Sequence, residues 1–162
     1  MRKTGPEKDR HTEMVPTRRK LLKGAAALLA FIHVPGFVLA AARSRDAFEA
    51  TDAGEALAGL LGTDRTLPSE MITLTAPSVA EDGTIVPVSV STTLPAVKSI
   101  SIVVVNNPRP LAVSFDLPGG TLPEVACRIK MAETSEVMAV VKSESGIFSA
   151  STQVKVTIGG CA

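Results

Sequence analysis

The sequence predicts an all-β protein: an immunoglobulin-like antiparallel β-sandwich of about seven strands, preceded by a short helix and an N-terminal export signal. Between residues 69 and 158, short runs of β-branched residues alternate with proline, glycine, asparagine and aspartate, as strands alternate with turns. The chain has no parallel βαβ pattern, no glycine-rich dinucleotide motif and no phosphate-binding loop. A segment of about 90 residues is long enough for such a sandwich to build its own core.

Seven segments have the composition and the alternation of strands. In one of them Val86, Val88 and Val90 share a face and Pro87 lies on the other, which predicts an edge strand or a bulge. Residues 102–105 are all apolar, which indicates a strand buried on both faces. Turns are predicted at residues 81–83, 106–110, 118–120 and 143–146. The predicted strands cover residues 72–75, 86–90, 98–105, 111–117, 125–131, 136–142 and 148–158.

Residues 43–68 form the predicted helical N-terminal segment of the mature chain. Apolar residues recur at three- and four-residue spacing between Asp46 and Leu61. Asp52 is a candidate N-cap for a shorter helix that ends at Gly62. Two interpretations stay open: the helix packs against the sandwich, or it docks onto a partner protein.

Residues 1–42 have the three parts of a cleaved secretory signal: a charged start, an apolar run and small residues at its end. A membrane anchor is the alternative, but His33 and Pro35-Gly36 interrupt the apolar run, so we expect no membrane attachment after cleavage. The pair Arg18 and Arg19, in the context Thr-Arg-Arg-x-x-Leu-Lys, resembles a twin-arginine export signal. This signal predicts the periplasm, an oxidising compartment for both cysteines.

Composition excludes several functions. Both histidines, His11 and His33, lie in the predicted signal, so the mature chain has no Ser-His-Asp or Cys-His centre and no histidine-ligated metal. Residues 43–162 carry nine basic and thirteen acidic side chains, and the chain contains no Trp and no Tyr. Neither the charge nor the aromatic content suits nucleic acid. We therefore predict no catalytic residue, no metal, no cofactor and no nucleic-acid partner.

Residues 159–162 form the predicted flexible C-terminal arm, in which Gly159 and Gly160 precede Cys161. The glycines leave the backbone free to move, and a tether of three residues extends about 10 Å. Cys127 is in phase with apolar neighbours, so we expect its side chain to face the core. Two disulfides stay possible: Cys127–Cys161 within one chain, or a Cys161–Cys161 dimer of two copies.

Together these features resemble the SoxY family, the sulfur carrier subunits of the Sox thiosulfate-oxidation system. The resemblance rests on the signal, the helical segment, the sandwich and three stretches: Val154 to Cys161, Asn107 to Pro110, and Glu81-Asp82-Gly83 leading to Val86-Pro87-Val88. It implies that Cys161 is the covalent attachment site for sulfur and that Gly159 and Gly160 form its arm. The usual family ending is Gly-Gly-Cys-Gly-Gly, whereas here Cys161 is followed by Ala162.

The resemblance also implies partners. These are a SoxZ-like second subunit that forms a heterodimer with the chain, a haem-containing Sox-type oxidase that joins thiosulfate to Cys161 as a cysteine S-thiosulfonate, and a hydrolase that releases sulfate. The predicted function is a periplasmic covalent carrier of sulfur intermediates, which is a substrate of partner enzymes and not itself an enzyme. The alternative is a non-catalytic periplasmic binding or structural module whose two cysteines form a structural disulfide.

Overall fold

The computed structural model describes residues 45–158. The predicted export signal with Arg18 and Arg19, and the predicted arm with Gly159, Gly160 and Cys161, lie outside the described residues. Within 45–158, none of the helices is long and apolar enough to span a membrane. The strands are β1 (Leu67–Pro68), β2 (Ile72–Thr75), β3 (Val79–Asp82), β4 (Val86–Thr92), β5 (Val97–Val104), β6 (Leu111–Asp116), β7 (Glu124–Ile129), β8 (Ser135–Ser143) and β9 (Gly146–Ile158).

These strands form two sheets that pack on each other as a sandwich. The larger sheet has the order β1-β9-β8-β5-β6, and β3 also pairs with β9. The smaller sheet has the order β2-β4-β7. Two strands, β1 and β3, run parallel to β9. All the other strand pairs are antiparallel. The all-β sandwich that the sequence predicts is confirmed.

Two of the nine strands, β1 and β3, are not among the seven that the alternation predicts. Each is short, and each pairs with residues of β9 that lie more than 70 positions further along the chain. The predicted turn at residues 81–83 is wrong in its start, because Glu81 and Asp82 belong to β3 and the turn begins at Gly83. Local sequence carries no trace of such a distant partner.

Pro87 does not mark an edge strand, because β4 is the central strand of the smaller sheet. The prediction is therefore wrong for the strand as a whole. The pairing of β2 with β4 covers only Ser89 to Thr92, whereas Pro87 lies opposite Arg128 of β7. Pro87 therefore stands beyond the end of β2, where the missing N–H interrupts no β2 hydrogen bond.

The main core lies between the sheets and is built by alternation. Every second residue of β4 and β8 points inward, and β5 is buried over nearly its whole length, as its unbroken apolar run predicts. One face of β5 supplies Ile100, Ile102 and Val104 to the core between the sheets. The other face supplies Val103 to a second apolar cluster on the outside of the larger sheet.

The helix α1 (Ala53–Leu61) covers that outer face. Asp52 caps it as predicted, since its carboxylate accepts hydrogen bonds from the N–H groups of Gly54 (2.8 Å) and Glu55 (3.1 Å). The helix ends at Gly62, which has a φ of 85°. Residues 45–49 are also helical, and residues 50–52 separate them from the shorter helix that Asp52 caps. Leu57 packs against buried residues of the sheet, so within the described residues the helix is a packing element.

Candidate functional site

The predicted carrier cysteine follows the end of β9, so the way this strand ends determines the site. β9 pairs with β8 along one side and with β3 along the other, where Asp82 lies opposite Ile158. The N–H of Gly83 donates a 2.8 Å hydrogen bond to the carbonyl oxygen of Ile158. The strand is therefore paired up to the last residue that the structure describes.

A side chain from the β7–β8 loop fixes the opposite side of the strand. The hydroxyl of Thr134 accepts a 2.9 Å hydrogen bond from the N–H of Val156. Gly83 in turn accepts a 2.7 Å hydrogen bond from the N–H of Met131, a fully buried residue, through its own carbonyl oxygen. The end of β9 is thereby tied to both sheets.

Four connections meet at this end of the sandwich, which we call the arm end. They are the turn at residues 83–85, the β5–β6 loop at 105–110, the β7–β8 loop at 130–134 and the end of β9. Asn107 joins two of them: its side-chain amide donates to the carbonyl oxygen of Lys130 (2.8 Å), and its side-chain oxygen accepts from the N–H of Ala132 (2.9 Å). Asn107 is buried, and its two bonds hold the loops together.

The sequence alone treats Asn107 only as a turn residue. A turn asparagine is ordinarily solvated or bonds to its own backbone, so nothing in the local pattern distinguishes one that bridges two loops. The stretch from Asn107 to Pro110 carries part of the family resemblance. In the structure, Asn107 of this stretch joins two loops at the arm end.

Charge at the arm end is set by exposed side chains. The pKa of Asp82 is lowered, first by the backbone N–H of Thr84, which donates a 2.8 Å hydrogen bond, and then by the Thr84 hydroxyl. Asp82 is therefore ionised at neutral pH. Glu81 and Glu133 are exposed nearby, and among the described residues neither makes an ion pair.

Cys127 lies on β7 and packs against the main core, as its phase in the sequence predicts. It is only half-buried, because β7 is an edge strand of the smaller sheet. Burial raises the pKa of its thiol. Cys127 also lines two surface grooves, one of about 570 Å³ over the smaller sheet and one of about 390 Å³ between β6 and β7.

The described part of the chain holds no group of three or more His, Cys, Asp or Glu side chains that could bind a metal ion. Arg109 forms a 2.8 Å ion pair with Glu49, which ties the β5–β6 loop to the helical turn at residues 45–49. Both side chains are largely exposed, so this pair contributes little to stability.

Comparison with known proteins identifies the family. The family model for the sulfur oxidation protein SoxY matches residues 57–161. The solved structure of the sulfur carrier protein SoxY from Chlorobium limicola f thiosulfatophilum is 36% identical to this chain, covers 70% of it over 98% of its own length, and superposes with a TM-score of 0.60.

A superoxide reductase (neelaredoxin) from Ignicoccus hospitalis is 18% identical over 53% of this chain and 79% of its own, with a TM-score of 0.48. No curated protein matches this chain. A family model that spans 57–161 and a solved relative aligned over nearly its full length both lead to one assignment. The chain belongs to the SoxY family of sulfur oxidation proteins.

Proposed function

We propose that this chain is a periplasmic sulfur carrier that holds its cargo on the thiol of Cys161 and presents it to partner enzymes. Membership of the SoxY family makes it a sulfur carrier of sulfur oxidation. The proposal adds the compartment, the attachment residue and the presentation to enzymes. The twin-arginine pattern at Arg18 and Arg19 supports the periplasm.

The observation that carries the proposal is the way β9 ends. The strand is hydrogen-bonded on both sides to its last residues, and three residues further on stands a cysteine. Gly159 and Gly160 have no side chains that could pack against the sandwich or block a narrow channel. A thiol so placed can enter an active site while the sandwich stays outside. The family model also extends as far as Cys161.

The loading reaction follows from thiol chemistry. The Cys161 thiol and thiosulfate combine to a cysteine S-thiosulfonate, with formation of one S–S bond and loss of one proton and two electrons. The partner oxidase would take up these two electrons one at a time, because a haem iron accepts a single electron. A hydrolase then cleaves the terminal S–S bond with water and releases sulfate, so that the outer sulfane sulfur stays on the cysteine.

This chain supplies the thiol but no acid–base group for that chemistry. Residues 43–162 contain no histidine. The activating environment must therefore come from the enzyme that receives the arm. A SoxZ-like second sandwich is the proposed heterodimer partner of the chain.

Intact-mass measurement tests the attachment site. The full chain is exported from a bacterial host, purified from the periplasm and incubated with thiosulfate and the haem-containing oxidase. We expect the mass to rise by one S₂O₃ unit in the wild type and in Cys127→Ser, and to stay unchanged in Cys161→Ser. An adduct on Cys161→Ser would refute the assignment.

The same preparation tests the compartment. N-terminal sequencing of the periplasmic protein should find a start near residue 43. Replacement of Arg18 and Arg19 by lysine should keep the chain in the cytoplasm, because the twin-arginine pair is the export signal. Unchanged export of the double variant would contradict the proposed route.

A further inference from the structure

Apolar side chains are exposed where β9 ends. The exposed fraction is 68% for Ile158, 59% for Ile85 and 53% for Val79. Ile85 lies two residues after Gly83, which bonds to Ile158, and Val79 begins the strand that pairs with the end of β9. We call these three residues the arm-base patch. The other large exposed apolar residues of the described range lie toward the opposite end of the sandwich: Leu67, Met71 and Leu122.

The length of the tether determines what covers this patch. Cys161 is three residues beyond Ile158, so the two Cα atoms are at most about 10 Å apart. An enzyme that acts on the Cys161 thiol must bring its reacting group within that distance, extended by one cysteine side chain. A standard protein interface covers about 800 Å² per partner, a disc of about 16 Å radius. An enzyme engaged with Cys161 therefore lies over the arm-base patch.

The charge around the patch is mixed. Glu81 and Asp82 lie on β3 beside the patch, and Lys155 stands directly opposite Val79 on the neighbouring strand. The nearby β7–β8 loop exposes one charge of each sign, Lys130 and Glu133. Opposite charges so close together give little net attraction for a charged partner. Apolar contact is then the main source of binding.

We propose that the arm-base patch is the docking surface for the haem-containing oxidase that loads Cys161, and that apolar side chains line the mouth of its active site. This inference rests on the proposed carrier function. It adds the surface that the oxidase touches and the chemistry that the surface of the oxidase presents.

Substitution of the patch by serine tests the proposal. The test variants of the carrier are Ile85→Ser and Val79→Ser. The matched controls are Leu67→Ser and Leu122→Ser, which remove similarly exposed apolar side chains at the far end of the sandwich. The measurement is the initial rate of thiosulfonate formation by the haem-containing oxidase, at carrier concentrations well below saturation. We expect kcat/KM to fall about 5- to 20-fold for Ile85→Ser, less for Val79→Ser, and less than twofold for the controls.

An enzyme-free reaction separates docking from damage to the thiol. Tetrathionate reacts with the Cys161 thiolate by forming one S–S bond and breaking another, which gives the same thiosulfonate and releases thiosulfate. We expect equal rates of this reaction in the wild type and in Ile85→Ser. An equally slowed chemical reaction would mean that the substitution disturbs the thiol, and would overturn the docking proposal.

The two levels of the hypothesis fail in different ways. If the oxidase loads the wild type and Ile85→Ser equally fast, the docking surface is refuted and the carrier function stands. If tetrathionate loads Cys161 but the oxidase does not load the wild type at all, both the carrier function and the docking surface are refuted.

Discussion

Burial determines the chemistry of Cys127. Its side chain packs against the core from an edge strand, and loss of water around the thiol raises the pKa because the thiolate is the form that loses solvation. The alternation of β7 predicts which way this side chain points. It does not predict how much of it is exposed, because exposure depends on the place of β7 at the edge of the smaller sheet, and strand order is not encoded in local sequence.

Alkylation kinetics should report this environment. In Cys161→Ser, Cys127 should react with iodoacetamide more slowly than glutathione does between pH 7 and 9, and its rate should rise with a midpoint above the ordinary cysteine pKa of about 8.5. In urea the same thiol should react like a free cysteine. A folded protein whose Cys127 matches glutathione at every pH would contradict the assigned burial.

At the scale of the elements, the arm end is built from contacts that join distant parts of the chain. The helix cap at Asp52 and the helix end at Gly62 are predictable because the signals are local. The parallel pairing of β3 with β9 is not predictable from local sequence, because it joins residues such as Val79 and Lys155, which are about 76 positions apart. For the same reason the role of Asn107 emerges only in the folded chain.

Removal of the Asn107 side chain should destabilise the fold. Asn107→Ala leaves the carbonyl of Lys130 and the N–H of Ala132 without their partners at a partly buried position, so we expect the free energy of unfolding to fall by about 1–3 kcal/mol. Asn106→Ala is the matched control: its exposed side chain makes one bond, to the carbonyl of Thr134, and its loss should cost less than about 1 kcal/mol. Urea unfolding monitored by circular dichroism measures both. Equal losses would contradict the bridging role of Asn107.

Thr134 should control how firmly β9 ends. In Thr134→Val the N–H of Val156 loses its acceptor, so its hydrogen exchange should accelerate about tenfold or more, while the amides of the central strands stay protected. Thr157→Val, at an exposed position in the same strand, serves as the control. Unchanged exchange at Val156 would mean that β3 alone holds the end of the strand.

At the scale of the whole molecule, the sandwich is predictable because the apolar alternation of β4, β6, β7 and β8 requires two faces to meet. The order of the strands within each sheet is not predictable, since many orders satisfy the same alternation.

The set of titratable side chains is also predictable at this scale. From residue 43 onward the chain has no histidine, so no side chain has an ordinary pKa between 5 and 8.

Stability should therefore be flat from about pH 5 to pH 8. Below about pH 4 it should fall, because the folded state holds Asp82 ionised at a lowered pKa while the unfolded state takes up the proton. Above about pH 8.5 it should also fall, because folded Cys127 keeps its proton at a raised pKa while the unfolded thiol ionises. Urea midpoints of the exported protein across pH 3–10 check this profile. A step near pH 6.5 would contradict it.

The parallel pairing of β3 with β9 has a consequence for how strongly an enzyme must bind sulfur. Because the strand is anchored up to Ile158, every position open to Cys161 lies within about 10 Å of that residue. A hemisphere of that radius encloses roughly 2,000 Å³, and one group in that volume has an effective concentration of roughly 0.8 M. Under the proposed carrier function, a docked enzyme therefore meets the Cys161 thiol at nearly molar concentration however dilute the protein is, so tight binding of the sulfur group itself is not required.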